Sequence, residues 1–152
     1  MKSKKIKQFI PENSSPLTEK FINYIMVAGK KSLARQIFEE TLKIISKKMN
    51  SDPEKIFKQA IDNAKPTMEV KAKRIGGAVY QVPREIKPER QLTLACRWII
   101  GGARGKKGAK MALKLANELI DASNEQGLAI KKKEDTIRMA QANKAFAHLA
   151  KY

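Results

Sequence analysis

From Thr18 onward the apolar positions fall at helical spacing. Phe21, Ile22, Ile25 and Met26 make the first group, with Thr18 placed to cap the helix and Gly29 placed to stop it. A second stripe runs over Ser32 to Met49 through Ala34, Ile37, Phe38, Thr41, Ile45 and Met49, and Lys43, Lys47 and Lys48 gather in its last turns, where the helix dipole favours cations. Asp52 before Pro53 reads as a cap followed by a preset first helical residue, and Ile56, Phe57, Ala60, Ile61 and Ala64 carry that third helix to Pro66. Between Thr67 and Ile86 the helical period vanishes, and β-forming residues bracket Gly76-Gly77 as a hairpin with a two-residue turn. Helical spacing resumes at Glu89 or Arg90 through Leu92, Ala95, Cys96 and Ile99 to Gly101-Gly102, with a loop ARGKKGAK after it. Met111, Ala112, Leu115, Ala116, Leu119 and Ile120 predict a fifth helix up to Gly127. A sixth is predicted from Lys133 or Glu134 to His148, with Ile137, Ala140 and Ala147 inside. The sum is a mainly α single domain of about six helices with a protruding two-stranded β-hairpin arm, too small to be a sheet core. The domain spans 18–148, with the hairpin at about 67–86. Residues 1–17 form a basic arm without period and 149–152 a short tail.

Charge changes the picture most. The chain has 152 residues, with 32 Lys plus Arg against 15 Asp plus Glu, a formal net charge of +17 and a pI near 10.1. Self-repulsion on so small a body points to a resident anionic partner, a nucleic acid or an anionic membrane. The basic residues gather where elements join. Lys30-Lys31 follows the first helix, Arg104, Lys106, Lys107 and Lys110 fill the loop before the fifth, and Lys131-Lys132-Lys133 precedes the predicted sixth. Lysines just ahead of helix N-termini oppose the dipole, a placement that makes sense if phosphates occupy those ends. The hairpin is basic too, with Lys71, Lys73 and Arg74 on its first strand and Arg84 on its second. Tyr80 offers a flat ring beside a turn that can approach a partner closely. A solvated basic face and a Tyr packed on the hairpin base is the plainer alternative.

Candidate chemistry is sparse. One Cys (Cys96) and one His (His148) make neither a zinc site nor a disulfide framework, and no cofactor is implied. The run Phe21 to Ala28 is far short of the roughly 20 residues of a membrane span, and no apolar signal stretch follows Met1 to Lys7, so the chain reads as soluble and intracellular. A phosphate-binding P-loop fails on GGARGKKGAK: Ile100 stands at the first glycine, Lys107 at the hydroxyl position, and a helix precedes it. Cys96 reads as a small buried hydrophobe, Trp98 as a partly buried anchor, and His148 as a helix-end or RNA-facing residue. No enzyme emerges.

Several motifs stand in one unbroken order: Val27-Ala28-Gly29-Lys30-Lys31-Ser32, Pro66 to Lys71, Gly76-Gly77 with Tyr80 to Pro83, Arg97-Trp98-Ile99, Met111 to Leu113, Leu115 to Leu119, Lys132 to Asp135, Arg138-Met139-Ala140 and Ala142 to His148. Over about Leu17 to His148 the chain resembles the family of ribosomal protein seven of the small subunit, bacterial type. The resemblance implies a six-helix domain with a protruding hairpin that binds the 3′ major domain of small-subunit rRNA and organises the subunit head, without catalysis. It carries rRNA contact over to Lys2, Lys4, Lys5, Lys7, Lys30, Lys31, Lys71, Lys73, Arg74, Arg104, Lys106, Lys107 and Lys110, and the candidate set adds Arg84, Arg97, Lys131, Lys132 and Arg138. Gly76, Gly77 and Tyr80 would lie near exit-site tRNA and the mRNA exit path. Implied neighbours are other head proteins and a platform protein, with no membrane and no homo-oligomer. The implied location is the cytoplasmic ribosome of a bacterium, or else the mitochondrial matrix or plastid stroma. The sequence departs from the family in an arm of isolated lysines and in glycines at 101, 102, 105 and 108, from which a flexible junction between helices four and five is expected. A nucleoid-type DNA-binding protein remains the rival reading, although Gly76-Gly77-Ala78 carries no apolar wedge.

Overall fold

A computed structural model describes residues 9–151. Helix α1 (Pro16–Ile25) begins two residues before Thr18, because Ser15 is the cap and its hydroxyl accepts the Thr18 amide at 3.1 Å. The turn after it carries Ala28 (φ 53°) and Gly29 (φ 72°) in the left-handed region. Helix α2 (Lys31–Met49) buries Ala34, Phe38, Thr41 and Ile45, while Met49, expected on the same stripe, is exposed. Helix α3 (Pro53–Ala64) starts as the Asp52-Pro53 pair predicts, with the Asp52 carboxylate accepting the Glu54 amide at 3.0 Å. Phe21, Phe38 and Phe57 knit these three helices together, with ring centroids 5.0–5.8 Å apart in tilted or edge-on geometry.

Strands β1 (Met68–Ile75) and β2 (Ala78–Glu85) form the antiparallel hairpin, closed by Gly76 (φ 57°) and Gly77 (φ 87°). Two successive left-handed residues are what a type I′ turn demands, and the twist of that turn matches the strands.

Helix α4 (Pro88–Gly105) runs straight through Gly101-Gly102, which the sequence reads as its stop. Tertiary packing overrides the glycine propensity: Ile99, Ile100 and Ala103 are buried, and Gly102 lies so close to its neighbours that an added Cβ would stand 3.1 Å from the Glu118 carboxyl group and 3.2 Å from Leu128. The expected flexible junction is therefore largely helix. Helix α5 (Met111–Ser123) packs against α2, α3, α4 and α6 and is the centre of the body.

Helix α6 (Gly127–Ala142) starts six residues before Lys133. Buried Ala129 and Ile130 anchor its first turn, so Lys131 to Lys133 lie inside the helix and do not precede it. It also ends early: the Asn143 side chain donates to the Met139 carbonyl at 2.9 Å, and Lys144–Lys151 tighten into a 3₁₀ segment with no buried residue, so Ala147 is exposed and not inside. The β1 strand rests on α6 and β2 on the 3₁₀ segment, so the arm leans on the C-terminal part of the chain.

Candidate nucleic-acid interface

The hairpin register sorts its side chains. Residues directly opposite each other share a face, so Glu69 with Arg84, Lys71 with Val82, and Lys73 with Tyr80 all point to one side. Arg74, paired with Val79, points to the other. The first face is the occupied one. The Lys73 ammonium donates to the Leu149 carbonyl at 3.1 Å, and the Tyr80 ring lies 5.4 Å from that of Phe146. Both residues are half-buried under the 3₁₀ segment rather than presented freely. On the opposite face Arg74 is exposed, as are Val79, Gln81 and the Gly76-Gly77 tip, with open space around both glycines.

At the base of the arm a buried carboxylate gathers two arginines. Glu69 accepts from Arg84 (Nη2, 2.7 Å) and from Arg90 (Nε and Nη2, 3.0 Å), joining both strands to the first turns of α4. Burial pushes the Glu69 pKa up, and the hydrogen bonds from Arg90 and Arg84 outweigh it, so the carboxyl stays below its ordinary range and remains charged. Arg90 and Arg35 were not among the sequence candidates. A single acid in an otherwise basic first strand was the available signal for Arg90.

The α1–α2 turn holds a second network. Glu19 is 1% exposed, accepts two bonds from Arg35 at 2.8 and 3.0 Å and one from Ser14 at 2.7 Å, and has the Lys31 ammonium at 3.4 Å. The Arg35 hydrogen bonds, working against burial, hold its pKa down at about 2. Lys31 thus shares its charge with Glu19, whereas neighbouring Lys30 is exposed. Arg104 reaches the same corner from α4, donating to the Ile25 carbonyl at 2.9 Å, so two sequence-distant basic clusters meet there. Arg97 lies with its guanidinium 5.6 Å from the Tyr24 ring centroid.

Lys106 is the largest departure from the expected set. It sits 2.9 Å from Glu118, a side chain with no exposure, and 3.5 Å from Asp121. Desolvation works to lower its pKa, but Glu118 and Asp121 prevail and raise it. Glu118 in turn accepts the Ala129 amide at 2.9 Å, so Lys106 completes a buried joint between α4, α5 and α6. Arg138 pairs weakly with Asp135 at 3.3 Å on an exposed turn. Among the described residues, Lys30, Lys71, Arg74, Lys107, Lys110, Lys131 and Lys132 are exposed and in no ion pair. The candidates Lys2, Lys4, Lys5 and Lys7 lie outside the described residues.

Cys96 is fully buried, and desolvation pushes its thiol up to about 11, so it is no nucleophile. Among the described residues no group of three acids, His or Cys is placed to hold a metal, and no helix is long and apolar enough to cross a membrane. What remains is an exposed cation array on an arm, a turn, a loop and one helix face.

Comparison with known proteins decides between the readings of that array. The family model described as ribosomal protein S7p/S5e matches residues 1–144. The chain belongs to this family. A relative from Solidesulfovibrio magneticus, named small ribosomal subunit protein uS7, is 54% identical over 138 residues, covering 91% of this chain and 88% of its own. Proteins of the same name from Acaryochloris marina and Moorella thermoacetica are 53% and 54% identical, over 91% and 85% of this chain and 88% and 83% of theirs. Membership of the S7p/S5e family makes the chain a structural, non-catalytic ribosomal protein of the small subunit that binds rRNA, and the relatives point to the bacterial type.

Proposed function

We propose that this chain binds the 3′ major domain of small-subunit rRNA and organises the subunit head, in the cytoplasmic ribosome of a bacterium. The observation that carries this is the array of exposed, uncommitted cations on the arm, the α1–α2 turn, the α4–α5 loop and α6, set on a chain of net charge +17. Such an array neutralises phosphates and recognises the shape of a folded RNA instead of reading long sequence. Lys30, Lys71, Arg74, Lys107, Lys110, Lys131 and Lys132 are the primary contacts. Lys2, Lys4, Lys5 and Lys7 add to them from the arm. Lys31, Arg84 and Arg138 contribute with charge partly shared with an acid of the chain. Arg97 and Arg104 contribute from exposed positions oriented by the Tyr24 ring and the Ile25 carbonyl, and Lys73 contributes from the hairpin's covered face. Gly76 and Gly77 lead the tip toward exit-site tRNA and the mRNA exit path, with Tyr80 behind them. Other head proteins and a platform protein are the neighbours.

The test is binding to a transcript of the 3′ major domain over a salt series, with random duplex DNA and unrelated structured RNA as competitors. Binding that survives both, near one protein per transcript, is expected. The Arg74→Gln variant should lower the salt slope by about 0.9, one phosphate contact. Equal competition by every polyanion would overturn the reading in favour of a general nucleic-acid binder.

A further inference from the structure

The covered face of the hairpin does not close completely against the C-terminal 3₁₀ segment. A cleft of about 340 Å³ remains between them, lined by Lys71, Ala72, Lys73, Val82, Arg84 and Ala150. That volume is at the low end of the roughly 300–1,000 Å³ typical of small-molecule pockets. We propose that this cleft takes one unpaired nucleotide of an RNA strand, its phosphate held by Lys71, Lys73 and Arg84 and its sugar or base laid on Val82 and Ala150. The proposal rests on the rRNA-binding reading and names the RNA element that this part of the surface takes.

Both walls are fixed by contacts already described. The register puts Lys71, Lys73, Val82 and Arg84 on the same hairpin face, so three cations surround an apolar floor made of the edge of nearly buried Val82, 3% exposed, with exposed Ala150 across from it. Glu69 takes Nε and Nη2 of Arg84, which orients the guanidinium and leaves Nη1 for a ligand. The opposite wall is tied down by the Lys73 bond to Leu149 and by the Tyr80–Phe146 ring contact, both just ahead of Ala150 in the chain. An ammonium that donates one hydrogen to a neutral carbonyl keeps its charge and two further donors. A duplex does not fit a space of this size, whereas an unpaired nucleotide can be splayed out of its strand and inserted. Cations around an apolar floor also separate a nucleotide from bare phosphate, which makes no use of Val82.

The full chain is titrated with a pentauridylate and, separately, with inorganic phosphate at equal phosphate concentration, following the methyl signals of Val82 and Ala150 by NMR. Shifts at both methyls with the oligonucleotide, and none with inorganic phosphate, are expected. Ala150→Trp fills the cleft from an exposed position without changing charge, and should weaken the oligonucleotide by at least about fivefold, the worth of one lost polar contact. Lys47→Gln, an exposed position on α2 that does not touch the hairpin, should leave the methyl shifts in place. Equal shifts with inorganic phosphate, or unchanged oligonucleotide binding in Ala150→Trp, would overturn the cleft. If the unaltered chain still binds the 3′ major domain transcript in that event, the cleft fails alone; if it does not bind the transcript, the rRNA reading fails with it.

Discussion

Lys106 separates a structural cation from an RNA-binding one. In Lys106→Ala, Glu118 loses the ammonium at 2.9 Å while its carboxylate stays shut off from water. Breaking a buried ion pair from one side costs about 3–5 kcal/mol. The cost is smaller here, since Lys106 is itself 31% exposed and Glu118 keeps the Ala129 amide at 2.9 Å. A loss of about 2–3 kcal/mol follows. For a domain of this size each kcal/mol lowers Tm by about 2–4 °C, so the variant should melt roughly 4–12 °C below the unaltered chain. Urea unfolding followed by circular dichroism should show a lower midpoint at unchanged slope. RNA affinity, measured well below the melting transition, should keep its salt dependence, because the charge of Lys106 is already committed to Glu118 and Asp121. Exposed Lys107 should behave in the opposite way: Lys107→Ala leaves stability intact and lowers the salt slope by about 0.9. An unchanged midpoint in Lys106→Ala together with a slope lowered by about 0.9 would refute this assignment.

Two further outcomes follow from the same structure. Glu19 has its pKa lowered from 4.5 to about 2, so its ionised form stabilises the fold above pH 4.5 and that contribution is lost as the pH falls through about 2; it amounts to about 3 kcal/mol by the linkage relation, and Glu19→Gln should flatten the acid-unfolding profile across this window, whereas an unchanged profile would sink the idea. Gly102→Ala places a Cβ 3.1 Å from the Glu118 carboxyl and should cost about 1–3 kcal/mol by overpacking, while Gly101→Ala, with open space around it in the same helix, should gain up to about 1 kcal/mol; thermal melts that rank the two variants the other way would show that α4 does not approach α5 this closely.

The helices and the hairpin were legible because their signals are local. Asp52-Pro53 starts a helix by its own cap geometry, and Gly76-Gly77 supplies the two left-handed residues that a tight hairpin turn needs. The errors came where distant packing decides. Gly101-Gly102 has the composition of a helix stop, yet the close approach of Glu118 and Leu128 gives Gly102 a reason to stay inside α4. Lys131 to Lys133 read as a charged lead-in because nothing in the run itself reveals that Ala129 and Ile130 dock on the body. The interface was legible as a set of charges but not as a division of labour. Lys73 and Arg74 are neighbours in sequence, and only the alternation of the strand sends one beneath the C-terminal segment and the other to solvent. Lys106 and Lys107 divide likewise, since the acid that claims Lys106 lies twelve residues further along the chain on α5.

The central position of α5 has a consequence for how the molecule comes into being. Helices α2, α3 and α4 all rest on a helix that follows them in the chain, so the first 110 residues leave the site of synthesis without their common packing partner. The Phe21–Phe38–Phe57 cluster and the hairpin turn can form early from their own residues, but the body closes only once residue 123 is available. Through that interval the nascent chain exposes apolar surface beside a large excess of positive charge. The arm waits longest of all, since β1 rests on α6 and β2 on the 3₁₀ segment, so the ribbon gains its support only when the last part of the chain has emerged.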